Sequence, residues 1–249
     1  MKRFHEKTVL VTGGNSGIGL AAAKAYAAEG ARVVITGRDA ATLEQASREI
    51  GNRVLALRSD AASLHDAKQL AEALKTQGIR LDAVFVNAGI AKFAAFAEVD
   101  EALWDHTFDI NVKGAYFQIQ ALLPVLNKGA AIVINGSINA HIGMPGSSLY
   151  AASKAAVISL AKTLSAELLP QGIRVNVVSP GPIATPLYGK LGLDTATREA
   201  TAQQIQAQIP LGRFGTAEEL ATTVLHLTAP ESAFIVGTEV IVDGGMSQL

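Results

Sequence analysis

Cysteine is absent from the 249 residues, which excludes disulfides, a thiol nucleophile and thiolate-bound metal. Charge is scarce too: Asp, Glu, Lys and Arg make up 17% of the chain, against roughly a quarter in an average globular domain. The 21 basic and 22 acidic residues leave a formal net charge of -1, so no broad surface for nucleic acid or anionic membrane is expected. Every apolar run stops well short of the ~20 residues of a membrane span. The opening Met1-Lys2-Arg3-Phe4-His5-Glu6-Lys7 lacks a signal peptide's apolar stretch. A soluble, cytoplasmic protein is the expectation. What the chain has in excess is alanine, 43 residues of it, beside 23 glycines.

Short β-branched runs alternate with longer helical stretches. Thr8–Thr12, Ala31–Thr36, Val54–Leu57, Asp82–Val86, Ala131–Asn135, Arg174–Val178 and Glu239–Val242 read as strands. Helices are expected over Ile18–Glu29, Ala40–Ile50, Leu64–Thr76, Glu101–Leu126 and Ala151–Leu168. Strands that are apolar throughout, rather than alternating, need cover on both faces. Their alternation with helices implies parallel strands joined by right-handed crossovers. No linker divides the chain, so residues 1–249 are expected to form one doubly wound, Rossmann-like α/β domain. Pro180–Pro210 is the irregular part, rich in proline and glycine before a polar helical stretch. It follows a strand's carboxyl end, where an open sheet keeps its ligand crevice, and residues 185–210 are expected to cover the substrate.

Thr12-Gly13-Gly14-Asn15-Ser16-Gly17-Ile18-Gly19 joins the first strand to the first helix. Gly13 permits a sharp turn, Gly17 lets the backbone approach a pyrophosphate, and Gly19 allows close helix packing. The helix start offers free amides to phosphate oxygens, with Asn15, Ser16 and Ile18 beside them. An acidic residue ending the second strand would hold a free ribose 2′-hydroxyl. This chain reads Thr36-Gly37-Arg38 there, and a guanidinium faces a 2′-phosphate better. NADP(H) is therefore favoured, with Asn15 as a neutral donor; an inward-turned Asp39 would favour NAD(H). Asp60-Ala61, after the third strand, is placed to meet the adenine, although Asp60 also suits a helix cap.

Asn87-Ala88-Gly89 follows the fourth strand and forms a wall for the nicotinamide ribose. Ser137 follows the fifth strand, and Tyr150 and Lys154, four apart, share one helical face. In reduction Tyr150 donates a proton to a carbonyl oxygen; in oxidation its phenolate removes the alcohol proton. A free tyrosine titrates near pH 10, so the phenolate needs the positive charge of Lys154. Ser137 hydrogen-bonds the substrate oxygen and polarises it. Asn111, through a water and nearby backbone, would connect Lys154 to solvent, or serve as a buried amide satisfying backbone.

These motifs resemble the short-chain dehydrogenase/reductase family over almost the whole chain. TGxxxGxG matches Thr12 to Gly19, NAG matches Asn87 to Gly89, and the Asn-Ser-Tyr-Lys tetrad matches Asn111, Ser137, Tyr150 and Lys154. Pro180-Gly181 and Val242-Asp243-Gly244-Gly245 also fit. The resemblance implies that Ile183 orients the nicotinamide through its backbone and that Thr185 contacts the cofactor's carboxamide or phosphates. It also implies no catalytic metal and a homotetramer. An arginine at the position of Arg38 implies NADP(H), although the basic residue usual before the middle glycine is here Ser16. The sequence is similar to bacterial NADP-dependent secondary-alcohol dehydrogenases. Reductases of 3-oxoacyl carrier proteins and sugar dehydrogenases are the alternatives; a nucleotide-binding protein without activity would not need the tetrad. Besides the catalytic Ser137 and Tyr150, the expected substrate lining is Asn139, His141, Met144, Pro182, Leu187 and Tyr188, mostly apolar with few specific hydrogen bonders, which suits a ketone or secondary alcohol better than a sugar.

Overall fold

Valine, leucine and isoleucine runs without a polar face build a seven-stranded, wholly parallel sheet. The computed structural model describes residues 2–185 and 195–249. The strands are β1 (Thr8–Val11), β2 (Arg32–Gly37), β3 (Val54–Arg58), β4 (Leu81–Val86), β5 (Leu126–Asn135), β6 (Arg174–Pro180) and β7 (Glu239–Val242). Their spatial order is β3-β2-β1-β4-β5-β6-β7. It reverses between β1 and β4, and a crevice outside the carboxyl ends follows from that reversal.

Successive residues of strands β1 to β6 feed two separate cores. Val9, Val11, Val33 and Ile35 pack with α1 (Gly17–Ala28), α2 (Ala40–Ile50) and α8 (Ala217–Thr228). Leu10, Val34, Val84 and Ile132 pack on the opposite face. There they meet α3 (Leu64–Thr76), α5 (Ala115–Leu122) and α6 (Ser148–Leu168). The alanine excess serves this layering: Ala21, Ala22 and Ala23 are buried in α1, which lies against α8. Tyr26 Oη and Thr228 Oγ1, 2.7 Å apart, join the same two helices.

Two elements depart from the sequence pattern. The helix expected over Glu101–Leu126 is broken into α4 (Glu101–Phe108), a π-turn at Asp109–Gly114, and α5. It ends at Leu123–Val125, where Pro124 removes a backbone donor, and Leu126 already belongs to β5. The second departure, α8, has its N-terminus written in the sequence: Thr216 and Glu219 form a capping box. Another helix, α7 (Thr195–Ala207), falls within the segment expected to cover the substrate.

Candidate active site

The turn between β1 and α1 is shaped by what a side chain would strike. Gly13 and Gly17 have φ of 62° and 51°, a region that favours glycine. A Cβ on Gly19 would collide with the Gly13 carbonyl oxygen, and one on Gly14 would lie 2.6 Å from Ile35 Cγ2. Ser16, the N-cap of α1, makes no side-chain capping bond, so the leading amides, including those of Gly17 and Ile18, remain for an anion.

Thr12 fastens this turn to the end of β4. Its Oγ1 accepts from the Asn87 and Ala88 amides, each at 2.9 Å. Asn87 Nδ2 donates to the Thr12 and Gly13 carbonyls at 3.0 and 3.3 Å. Asn135 Nδ2 then donates to Asn87 Oδ1 at 3.0 Å and carries the network to β5. A Cβ on Gly89 would lie 3.1 Å from Asn111 Oδ1 and 3.6 Å from Lys154 Nζ. The Asn87–Gly89 segment is therefore a floor shared by the nucleotide turn and the tetrad.

Lys154 stands one turn beyond Tyr150 on α6. Its Nζ donates to the Asn135 carbonyl at 2.7 Å and lies 5.7 Å from the centre of the Tyr150 ring. Only 6% of Lys154 is exposed, and burial lowers its pKa to about 8. Burial pushes the Tyr150 phenol up, while the Ser137 hydroxyl pulls it partly back. Tyr150 thus stays protonated at neutral pH, with the Lys154 ammonium over its ring. Ser137 Oγ accepts from the Asn139 amide at 3.2 Å, so these two residues form one short turn after β5.

Asn111 lies in the π-turn, a local widening that often marks functional sites. Its Oδ1 accepts from Ile90 N at 2.9 Å, and its Nδ2 donates to Ile90 O and Ser153 Oγ, both at 3.0 Å. Ser153 Oγ donates in turn to the Tyr150 carbonyl at 2.7 Å. Asn111 therefore pins the loop after β4 to α6, immediately beside Lys154.

At the far end of the crevice, Asp39 caps α2 by accepting from Thr42 N at 2.8 Å, which holds its carboxyl below the usual range. Arg38 is exposed, and its guanidinium has no hydrogen bond or ion pair among the described residues. Asn15 Nδ2 donates to Thr42 Oγ1 at 2.8 Å. Asp60 Oδ1 accepts from Ala62 N at 3.0 Å, and the cap of α3 is Ser63. A Cβ on Gly114 would strike the Ala61 carbonyl oxygen, so this loop rests on the π-turn. Beyond β6, Gly181 N donates to Val242 O at 2.9 Å, while Ile183 is buried and bridges to Gly215. Thr185 is half-buried beside it.

On the substrate side, Phe93 meets Tyr150 edge-on, ring centres 5.7 Å apart and planes at 69°. The Ala94 amide donates to the Gly146 carbonyl at 2.9 Å and ties the loop after β4 to the loop before α6. Phe93 and Met144, on those loops, are 43% and 37% exposed. His141 is directed elsewhere: Nε2 lies 2.7 Å from Glu239 Oε1, at the start of β7. Leu187 and Tyr188 lie outside the described residues.

The residues suit a dinucleotide, since Gly14 and Gly19 leave no space for a side chain in the turn and the start of α1 exposes backbone amides. Two buried atoms near the tetrad, Asn135 Oδ1 and Asn139 Nδ2, have no hydrogen-bond partner among the described residues. A family profile described as enoyl-(acyl carrier protein) reductase matches residues 13–247. An oxidoreductase of Sarocladium schorii is 36% identical over 251 residues, covering 100% of this chain and 99% of that protein. The 2-(S)-hydroxypropyl-CoM dehydrogenase of Xanthobacter autotrophicus is 32% identical, with 99% of each covered. A crystal structure described as a putative betaketoacyl-ACP reductase superposes with a TM-score of 0.86 and 40% identity, covering 99% of this chain and 100% of the other.

The chain belongs to the short-chain dehydrogenase/reductase family.

As a member of that family it is an oxidoreductase served by a nicotinamide cofactor. Three residues of this dehydrogenase/reductase site escaped the sequence pattern. Thr12 was visible as part of a motif, but not as the acceptor joining β1 to β4. Asn135 carried a signal, a polar residue ending an apolar strand, yet its carbonyl bond to Lys154 depends on the fold. Phe93 carried none beyond being an aromatic in an alanine-rich loop. Among the described residues, no group of three or more His, Cys, Asp or Glu side chains is placed to hold a metal. No described helix is long and apolar enough to cross a membrane.

Proposed function

We propose that this short-chain dehydrogenase/reductase interconverts a secondary alcohol and a ketone with NADP(H). What carries the assignment is the setting of Tyr150, between the buried ammonium of Lys154 and the apolar edge of Phe93. The nicotinamide cofactor supplies or accepts the hydride. Gly13, Asn15, Ser16, Gly17, Ile18 and Gly19 hold its pyrophosphate side, Arg38, Asp60 and Ala61 its adenosine. Asn87, Ala88, Gly89, Lys154, Pro180, Gly181, Ile183 and Thr185 hold the nicotinamide side. Tyr150 Oη gives its proton to the carbonyl oxygen in reduction and recovers it from the hydroxyl in oxidation. Ser137 donates to the same oxygen, and Lys154 favours the phenolate by its charge. Asn111 keeps the loop under Lys154 in register through Ile90 and Ser153. Residues 1–249 act as one unit with no metal taking part; of the segment 185–210 assigned to cover the substrate, the part that holds α7 is described and residues 186–194 lie outside the described residues.

Tyr150→Phe is expected to keep cofactor affinity, measured by titration, while turnover falls roughly 100- to 10,000-fold. Turnover close to that of the unchanged enzyme would remove Tyr150 from the acid/base role. The substrate class is tested with aliphatic and aryl ketones, sugars and 3-oxoacyl carrier thioesters, each with NADPH and with NADH. The second reading, acyl-carrier reduction, is favoured by the matching profile and the superposed structure, both of which bear the names of acyl-carrier-protein reductases. Hydride transfer to no simple ketone, together with rapid reduction of the acyl carrier, would replace the first reading with the second.

A further inference from the structure

Two arginines stand at the carboxyl ends of β2 and β3 where the sequence pattern singled out one. Arg38 follows β2, and Arg58 ends β3 with its Cα in register with Gly37. Arg58 Nε donates to the Arg38 carbonyl at 3.1 Å, which turns the side chain across towards β2 and orients its guanidinium. Its two terminal nitrogens have no hydrogen-bond partner among the described residues, and neither arginine forms an ion pair there. The nearby carboxylates are engaged by other groups. Asp39 accepts from Thr42 N, Asp60 from Ala62 N, and Asp66 from Asp60 N and Ser63 Oγ. Asp66 feels Arg58 only as a weaker, more distant charge. A guanidinium anchored on the Arg38 backbone, with its terminal nitrogens free and no described carboxylate at ion-pair distance from either arginine, suits an added anion at this edge, and a dianion most. The neutral donor Asn15 lies against Gly37 at the same rim, 2.8 Å from where a Cβ of that glycine would stand.

We propose that Arg58 is a second specificity residue for the 2′-phosphate, acting with Arg38, and that the pair sets the cofactor preference. The proposal rests on the NADP(H) reading above. Its test is calorimetric titration of the full-length protein, without cofactor, by 2′,5′-ADP and by 5′-ADP, which lacks the 2′-phosphate. Arg58→Ala is expected to weaken 2′,5′-ADP roughly tenfold and to change 5′-ADP less than about twofold. Arg58→Gln, which keeps a long polar side chain without the charge, is expected to show the same selective loss. Combining Arg38→Ala with Arg58→Ala should bring the two ligands to equal affinity. Unchanged 2′,5′-ADP affinity in both Arg58 variants, with a loss in Arg38→Ala, would overturn the proposal and leave the NADP(H) reading intact. Equal losses for both ligands would also overturn it, by assigning Arg58 to the adenine or the fold. Equal affinity in the unmodified protein would instead defeat the NADP(H) reading itself.

Discussion

Lys154 must be charged to assist Tyr150, yet it is buried, and that conflict has a measurable signature in the cofactor-free protein. Its folded pKa, about 8, lies below the unperturbed value of 10.5 because burial disfavours the ammonium. Between those values the unfolded chain holds a proton that the folded chain lacks, so folding stability rises with pH through that window. Below it, the whole cost of burying the charge is present, at most about 3 kcal/mol by linkage. Lys154→Met removes that cost but leaves the Asn135 carbonyl without its donor. The loss of the bond costs about 1–3 kcal/mol at any pH. The two effects nearly offset each other at pH 7. Urea denaturation should therefore show little difference at pH 7 and a less stable variant at pH 10, by up to ~3 kcal/mol. A difference independent of pH would mean that Lys154 is not destabilised by burial.

Elements whose identity depends on local pattern were readable, and those fixed by distant partners were not. α8 carries such a local pattern, yet it was not among the helices expected from the sequence. Its Thr216-Ala217-Glu218-Glu219 start precedes apolar residues at 220, 221, 224 and 225, and Thr216 Oγ1 accepts from Glu219 N at 3.1 Å. Thr216→Ala is expected to lower stability by about 1 kcal/mol, read as a shifted denaturation midpoint with an unchanged slope. A shift near zero would mean that packing against α1 holds the helix start without its cap. The strands were legible because parallel strands covered on both faces leave continuous apolar runs, as in Val33-Val34-Ile35. Tyr150 and Lys154 were legible because one helix carries both. The break at Asp109–Gly114 was not, because Asn111 bonds Ile90, 21 residues away. Nor was the direction of His141, whose partner Glu239 is 98 residues distant. Arg58 escaped for the same reason, since its orientation comes from the Arg38 carbonyl across the β2–β3 pair.

For the whole molecule, scarce charge and abundant alanine act in two places. Inside, alanine lets α1 approach the sheet and α8; outside, few charges leave apolar helix faces uncovered. On α4, Trp104 is 47% exposed and stacks on Phe108 with ring centres 4.6 Å apart. Tyr116, on α5, is 39% exposed, and with Phe108, Val112, Phe117 and the ion pair Asp109–Lys113 it lines an open groove of about 500 Å³. An apolar face of this kind suits contact with another subunit better than water, and members of the family commonly form oligomers. We expect a homotetramer in which α4, α5 and α6 supply one interface and the β7 region another. Trp104→Glu combined with Tyr116→Glu places two charges on the first face, where burial without partners is costly. Light scattering should then give a lower mass than for the unmodified protein, with helical content unchanged by circular dichroism. The same face carries the π-turn that presents Asn111, so dissociation would free one side of the segment holding Ile90 and Ser153 in place. Activity of the dissociated variant should consequently decay faster on warming than its helical signal. An unchanged mass would show that this face is not the contact.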